Sequence, residues 1–178
     1  MGMEVGIGSG KFAAPLGIRI GVEPAQAMAD KARGLGLTVY PGVAEALPFC
    51  DARFDWVLMV TTICFVDDLP RAFAEAFRVL RPGGCILVGF VDRESDLGKR
   101  YQDKRQRSKF YLQATFFSTL EVQAHLEAAG FVIAETVQTL LPGEASSVIQ
   151  PGYGQGAFVV VKGLQTGSRG DKLTLLRQ

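Results

Sequence analysis

Near the start of the chain an acidic residue precedes three glycines at alternate positions, in Glu4-Val5-Gly6-Ile7-Gly8-Ser9-Gly10. A strand that ends in such a loop brings bare backbone against a ligand, because glycine adopts positive φ and carries no side chain. Spacing separates the chemistries such a loop can serve. A phosphate loop needs GxxxxGK followed by Ser or Thr; Gly10-Lys11 supplies its end, but Val5 stands where the first glycine belongs and Phe12 replaces the magnesium-holding hydroxyl. A dinucleotide loop needs GxGxxG, and here the third glycine falls at position 10, with Lys11 where it should stand. What remains is an acid plus GxGxG, answered by a second acid, Glu23, after the next apolar run.

Other reactive residue types offer less. Cys50, Cys64 and Cys85 are odd in number and lack CxxC spacing, so neither a disulfide framework nor a zinc knuckle is indicated. The single histidine, His125, lies inside a helical stretch and reads as structural or surface. From Asp92 to Lys109 the chain is rich in charge, with Arg93, Lys99, Arg100, Lys104, Arg105, Arg107 and Lys109 among Glu94, Asp96 and Asp103. Interleaved signs read as a solvated helix face. The sharper reading is a substrate lid over 92–117 whose cations meet an acidic substrate.

The elements that must position these residues follow from periodicity. Met1 to Val5 forms a short first strand, Lys11 to Leu16 a short helix closed by Pro15 and Gly17, and Ile18 to Val22 a second strand. Ala25 to Leu35 is helical, Leu37 to Tyr40 a third strand, and Phe54 to Val60 an apolar run of the kind buried on both faces of a parallel sheet. Leu69 to Leu80 shows helical spacing and stops at Arg81-Pro82-Gly83-Gly84; Cys85 to Val91 is the fifth strand. Ser118-Thr119-Leu120-Glu121 is a capping box opening a helix that Gly130 ends, and Phe131 to Leu141 and Ala157 to Val161 are the last strands. Strand and helix in alternation predict an α/β fold: a doubly wound, mostly parallel, seven-stranded sheet with an antiparallel last strand.

At 178 residues, with 48% hydrophobic and 21% charged residues, the chain suits one globular domain, expected over 1–163, with 164–178 a flexible tail. A formal net charge of +1 gives no reason to expect nucleic acid as a partner. No apolar run has the length needed to span a membrane and no secretion signal is seen, so no membrane insertion and a cytoplasmic location are expected.

With these motifs in hand, the sequence resembles the class I S-adenosylmethionine-dependent methyltransferases, particularly the group that includes quinone-biosynthesis methyltransferases. The likeness runs from Met1 to about Lys162. Glu4 to Gly10 matches the first motif, and Gly21-Val22-Glu23-Pro24 the acidic end of the second strand. Ala44-Glu45-Ala46-Leu47-Pro48-Phe49, Phe54-Asp55 and Arg78-Val79-Leu80-Arg81-Pro82-Gly83-Gly84 match later ones.

The resemblance implies a Rossmann-like sheet, S-adenosylmethionine as cofactor and a role for each position. Glu23 would accept from both ribose hydroxyls. Gly6 and Gly8, with Ile7 and Gly10 in the same loop, would let backbone approach the amino-acid end, near whose ammonium Glu4 would lie. Pro24 and Met28 would pack on the adenine, the Ala44 N–H would meet a ring nitrogen, and the Thr61 carbonyl would receive the ammonium. Many relatives carry Asp where this chain has Val43, which leaves the adenine amine to water or to Glu45.

Acceptor recognition is expected after strands four and five, from Thr62, Phe65, Asp92, Tyr101 and Tyr111, with Cys64 and Phe110 nearby. The implied activity is methyl transfer to an unidentified small-molecule acceptor. Relatives usually carry helices before the first strand that roof the site. Their absence from this sequence raises two expectations, a cofactor-binding domain without turnover and an open cleft completed by a second copy or another chain. A nicotinamide-dependent oxidoreductase is disfavoured by the glycine spacing.

Overall fold

The computed structural model describes residues 1–104 and 112–167. Strand β1 (Gly2–Val5) leads through the glycine loop to β2 (Ile20–Val22), α1 (Gln26–Gly34) and β3 (Thr38–Tyr40). Then follow β4 (Phe54–Val60), a 3-10 turn (Ile63–Phe65), α2 (Leu69–Val79), β5 (Leu80–Val91) and α3 (Asp96–Lys104). The chain continues through α4 (Thr119–Ala129), β6 (Phe131–Thr139), β7 (Gln150–Pro151) and β8 (Phe158–Gln165). The sheet order is β3-β2-β1-β4-β5-β8-β6-β7. The first five strands pair in parallel, and β8 lies antiparallel between β5 and β6.

Both faces of the sheet are covered. Along β4, Val57 and Met59 pack toward Phe73 of α2 and Leu126 of α4, while Leu58 joins Ala29 and Ala32 of α1 on the other side. A strand buried on both faces reads as a continuous apolar run, which is why Phe54 to Val60 shows no alternation. The α4 boundary follows its cap: the Ser118 hydroxyl accepts from the Glu121 N–H, and the Glu121 carboxylate accepts from the Ser118 N–H at 2.8 Å.

Four expectations need correction. Residues 11–17 form turns rather than a short helix; Pro15 has no N–H with which to extend the ladder, and the Ala13 carbonyl accepts instead from Leu16 and Ile18. The sheet has eight strands, because Gln150 and Pro151 in the Pro- and Gly-rich loop pair with β6 at Gln138 and Val137. Pro151 is tolerated there because β7 is an edge strand. Strand β5 begins at Leu80, opposite Phe54, so Arg81 to Gly84 lies within the strand. Strand β8 runs through Gln165, taking Leu164 and Gln165 out of the expected tail. The rest of that tail, 168–178, lies outside the described residues, as do Arg105, Arg107, Lys109, Phe110 and Tyr111.

The winding of the sheet reverses between the parallel neighbours β1 and β4: from β1 the strand order runs outward to β3, and from β4 it runs the other way to β5. In open α/β sheets ligands settle beyond the carboxyl ends of strands at such a point.

Candidate cofactor and acceptor site

The glycine loop leaves β1 at Val5 and is tied at once to β2, since Gly6 and Ile7 both donate to the Val22 carbonyl, at 2.9 and 3.0 Å. Gly8 has φ +55°, and a Cβ built there meets nothing closer than Met28 Cε at 3.7 Å. Any side chain at 8 would therefore both strain the backbone and fill the cleft in front of the loop. Facing it, the buried Glu23 carboxylate accepts from Gly8 N–H and Ala25 N–H, each at 2.9 Å. One side chain thus joins the loop to the start of α1, and each oxygen keeps acceptor capacity for a further donor.

The opposite wall comes from the end of β4. Thr61 sits at φ +52°, a conformation that costs a non-glycine residue energy and is held here by its N–H bond to the Gly89 carbonyl at 2.8 Å. The Thr62 hydroxyl lies 3.0 Å from the Val5 carbonyl and 3.1 Å from that of Val60, at the seam of β1 and β4. Cys64 donates its thiol to the Thr61 carbonyl at 3.4 Å, and burial pushes that thiol up to about 11, so it stays protonated at neutral pH.

Together these walls enclose a cleft of about 360 Å³. Gly6, Gly8, Glu23, Pro24, Met28, Ala44, Glu45, Thr61, Thr62 and Phe65 all line it. Ile7 and Gly10 do not; Ile7 is buried against Gly21, and Gly10 backs onto Leu37. Glu4 is also set back from the cleft. It is 1% exposed, accepts from the Ala13 backbone, and its Oε2 has no partner among the described residues; burial raises its carboxyl to about 8. Glu45 accepts from the Asp67 and Asp68 N–H groups at 2.7 and 3.2 Å, which ties the rim together. Asp67 lines the cleft as well, although nothing in the sequence around it marks it.

A second cavity of about 240 Å³ adjoins the first, and the two share Thr61 and Phe65. Its walls include Phe90, Tyr101, Phe116 and Phe117, with the Tyr101 and Phe116 ring centroids 6.1 Å apart. Tyr101 lines this second cavity, and Tyr111 lies outside the described residues. Asp92 lines neither cavity. Its carboxylate is buried, accepting from Glu94 N–H at 2.7 Å and from the Thr119 hydroxyl and N–H at 2.5 and 3.1 Å, so it anchors the start of α4. Phe90, Phe116 and Phe117 were not singled out by sequence. The usable signal was Phe116-Phe117 directly before the capping box, since a cap fixes where the preceding residues point.

Among the described residues no group of three or more His, Cys, Asp and Glu could hold a metal ion, and no helix is long and apolar enough to cross a membrane.

Comparison with known proteins follows the same line. Residues 3–88 match the family model described as a methyltransferase domain. An uncharacterized protein of Methanocaldococcus jannaschii is 41% identical over 164 residues, covering 90% of this chain and 80% of its own. An uncharacterized protein of Mycobacterium tuberculosis is 36% identical over 130 residues, and there the aligned part spans 72% of this chain and 46% of the relative. Among solved structures, a Thermotoga maritima S-adenosylmethionine-dependent methyltransferase, described as a possible histamine N-methyltransferase, superposes with a TM-score of 0.87 at 50% identity. That superposition covers 92% of this chain and 81% of the other. The glycine loop, the acid that faces it and these relatives agree: the chain belongs to the class I S-adenosylmethionine-dependent methyltransferases, and S-adenosylmethionine is its cofactor.

Proposed function

We propose that this enzyme methylates a small molecule held in the aromatic cavity, with the cofactor in the larger cleft and the methyl group passing between Thr61 and Phe65. The observation that carries the reading is that these two residues border both cavities. The cleft suits the cofactor on its own terms. Gly8 leaves open the space a Cβ would fill, and Glu23 presents two acceptor oxygens beside it. Glu23 would hold the ribose, the Gly6–Gly8 backbone the amino-acid end, and Pro24 and Met28 the adenine.

When bound, S-adenosylmethionine supplies a methyl group already activated on a sulfonium. With the cofactor held by Glu23 and the Gly6–Gly8 backbone, an acceptor placed against Thr61 and Phe65 would present its electron pair to that methyl group. The chain's own part is orientation and exclusion of solvent. The Thr61 backbone, fixed from β5 by the Gly89 carbonyl, sets the junction, and the rings beyond it keep water from the acceptor face. The Cys64 thiol, pushed up by burial, is turned to the Thr61 carbonyl at this junction.

Calorimetry with S-adenosylmethionine, followed by turnover over a panel of acceptors that includes histamine, tests this. Cofactor binding with release of the demethylated product is expected. Binding without turnover on any acceptor would favour a domain that holds the cofactor without catalysing.

A further inference from the structure

We infer that the acceptor is an aromatic molecule of one or two rings that enters the second cavity uncharged, bearing neither carboxylate nor phosphate. This rests on the two-cavity reading above. The cavity, about 240 Å³, lies below the roughly 300–1,000 Å³ of sites for drug-sized ligands, so the acceptor is small. Its lining is dominated by rings from four directions: Phe65 after β4, Phe90 at the end of β5, Tyr101 from α3, and Phe116 with Phe117 before α4. Such walls favour offset and edge-on contact with another ring.

Charge points the same way. Among the described residues no Asp, Glu, Lys, Arg or His side chain lines the cavity. Asp92 and Arg93, the described charged residues that follow its lining residue Val91 in the chain, are engaged elsewhere. The three donors from Glu94 and Thr119 occupy Asp92, and Arg93 donates to Glu94 at 3.1 Å and lies 3.0 Å from Glu121 in the α4 capping box. Among the described residues, a carboxylate or phosphate entering this space loses hydration without meeting a cationic side chain. Among the described residues the lining offers a protonated amine no carboxylate either, so desolvation favours its neutral form, which is also the form with a lone pair to give.

The test uses matched pairs, phenol against 4-hydroxybenzoate and tryptamine against tryptophan, titrated into the enzyme saturated with S-adenosylhomocysteine and assayed for turnover with S-adenosylmethionine. The pair members lacking the carboxylate are expected to bind at least tenfold more tightly, with affinities unchanged between 50 and 500 mM salt. Tyr101→Arg, on a half-buried helix position, is expected to shift that ratio at least tenfold toward the acids, with its unfolding midpoint and cofactor affinity near wild type. Acids that bind as well or better, with salt-sensitive affinity, would overturn the inference in favour of a cationic lid. Cofactor product bound but neither phenol nor tryptamine bound at millimolar concentration also overturns it. No binding of S-adenosylhomocysteine would instead overturn the reading on which it rests.

Discussion

Glu23 and Gly8 act as a pair: the carboxylate accepts from the glycine N–H, and the glycine's bare Cα keeps the space between them open. Gly8→Val puts a branched side chain at φ +55° and into that space at once, so a loss of cofactor affinity of at least 100-fold is expected by calorimetry. Glu4 behaves differently. Its carboxyl is raised from 4.5 to about 8, so the folded chain holds a proton that the unfolded chain releases. Stability therefore falls as pH rises from about 4.5 to about 8, with a slope of up to ~1.4 kcal/mol per pH unit. Glu4→Gln keeps an acceptor for the Ala13 N–H and is expected to flatten that slope, so that at pH 8.5 the variant outlasts wild type in urea. Glu23 was legible from the joint pattern of motifs that carries the family resemblance, rather than from its own position. The setback of Glu4 was not legible, since whether a strand residue faces a ligand or the interior depends on what packs behind the loop.

At the scale of elements, Asp92 belongs to the scaffold. It couples the end of β5 to the first residue of α4, and Asp92→Asn cannot satisfy both Thr119 and the Glu94 N–H. A loss of about 1–3 kcal/mol is expected, a fall in melting temperature of roughly 2–4 °C per kcal/mol for a chain of this length, with acceptor KM within twofold of wild type. A KM raised tenfold or more would place Asp92 in the site after all. Its role was hidden from sequence because its partner Thr119 lies across the segment from α3 to the cap. The capping box itself was readable, since all its bonds are local. The same contrast explains residues 11–17: composition allowed a helix, whereas one missing N–H at Pro15 and the pull of the buried Ala13 decided for turns. Helix α3 is pinned rather than free at its near end, where Gly98 lies so close to the Asp92 backbone that a methyl group would overlap it.

Over the whole molecule, the strand order and its reversal point between β1 and β4 are seen only in the structure, while alternation of strand and helix indicated a parallel, doubly wound sheet. What it could not supply was the eighth strand, whose two residues carry almost no pattern, or the second cavity, which is assembled from four segments far apart in the chain. The cleft bridges the molecule's two wings: Glu23 and the glycine loop belong to the β1–β3 side, Thr61 and Thr62 to the β4–β5 side. The wings meet through the pairing of Gly2, Met3 and Glu4 with Trp56, Val57 and Leu58 and the Thr62 hydroxyl. A ligand that grips both wings binds only the folded chain, so at 100 times its dissociation constant the cofactor should add about 2.7 kcal/mol.

Contacts that join distant parts of the chain tend to close late in folding, because loop closure must come first. If the β1–β4 seam is among them, the cofactor's effect falls on the unfolding limb: unfolding in urea slows up to ~100-fold at that concentration while refolding is unchanged. An effect carried by the refolding limb, with unfolding unchanged, would show that the seam forms early. Because the cofactor binds only the folded chain, scarcity of the methyl donor is expected to shorten the life of the enzyme against proteolysis, and abundance to lengthen it.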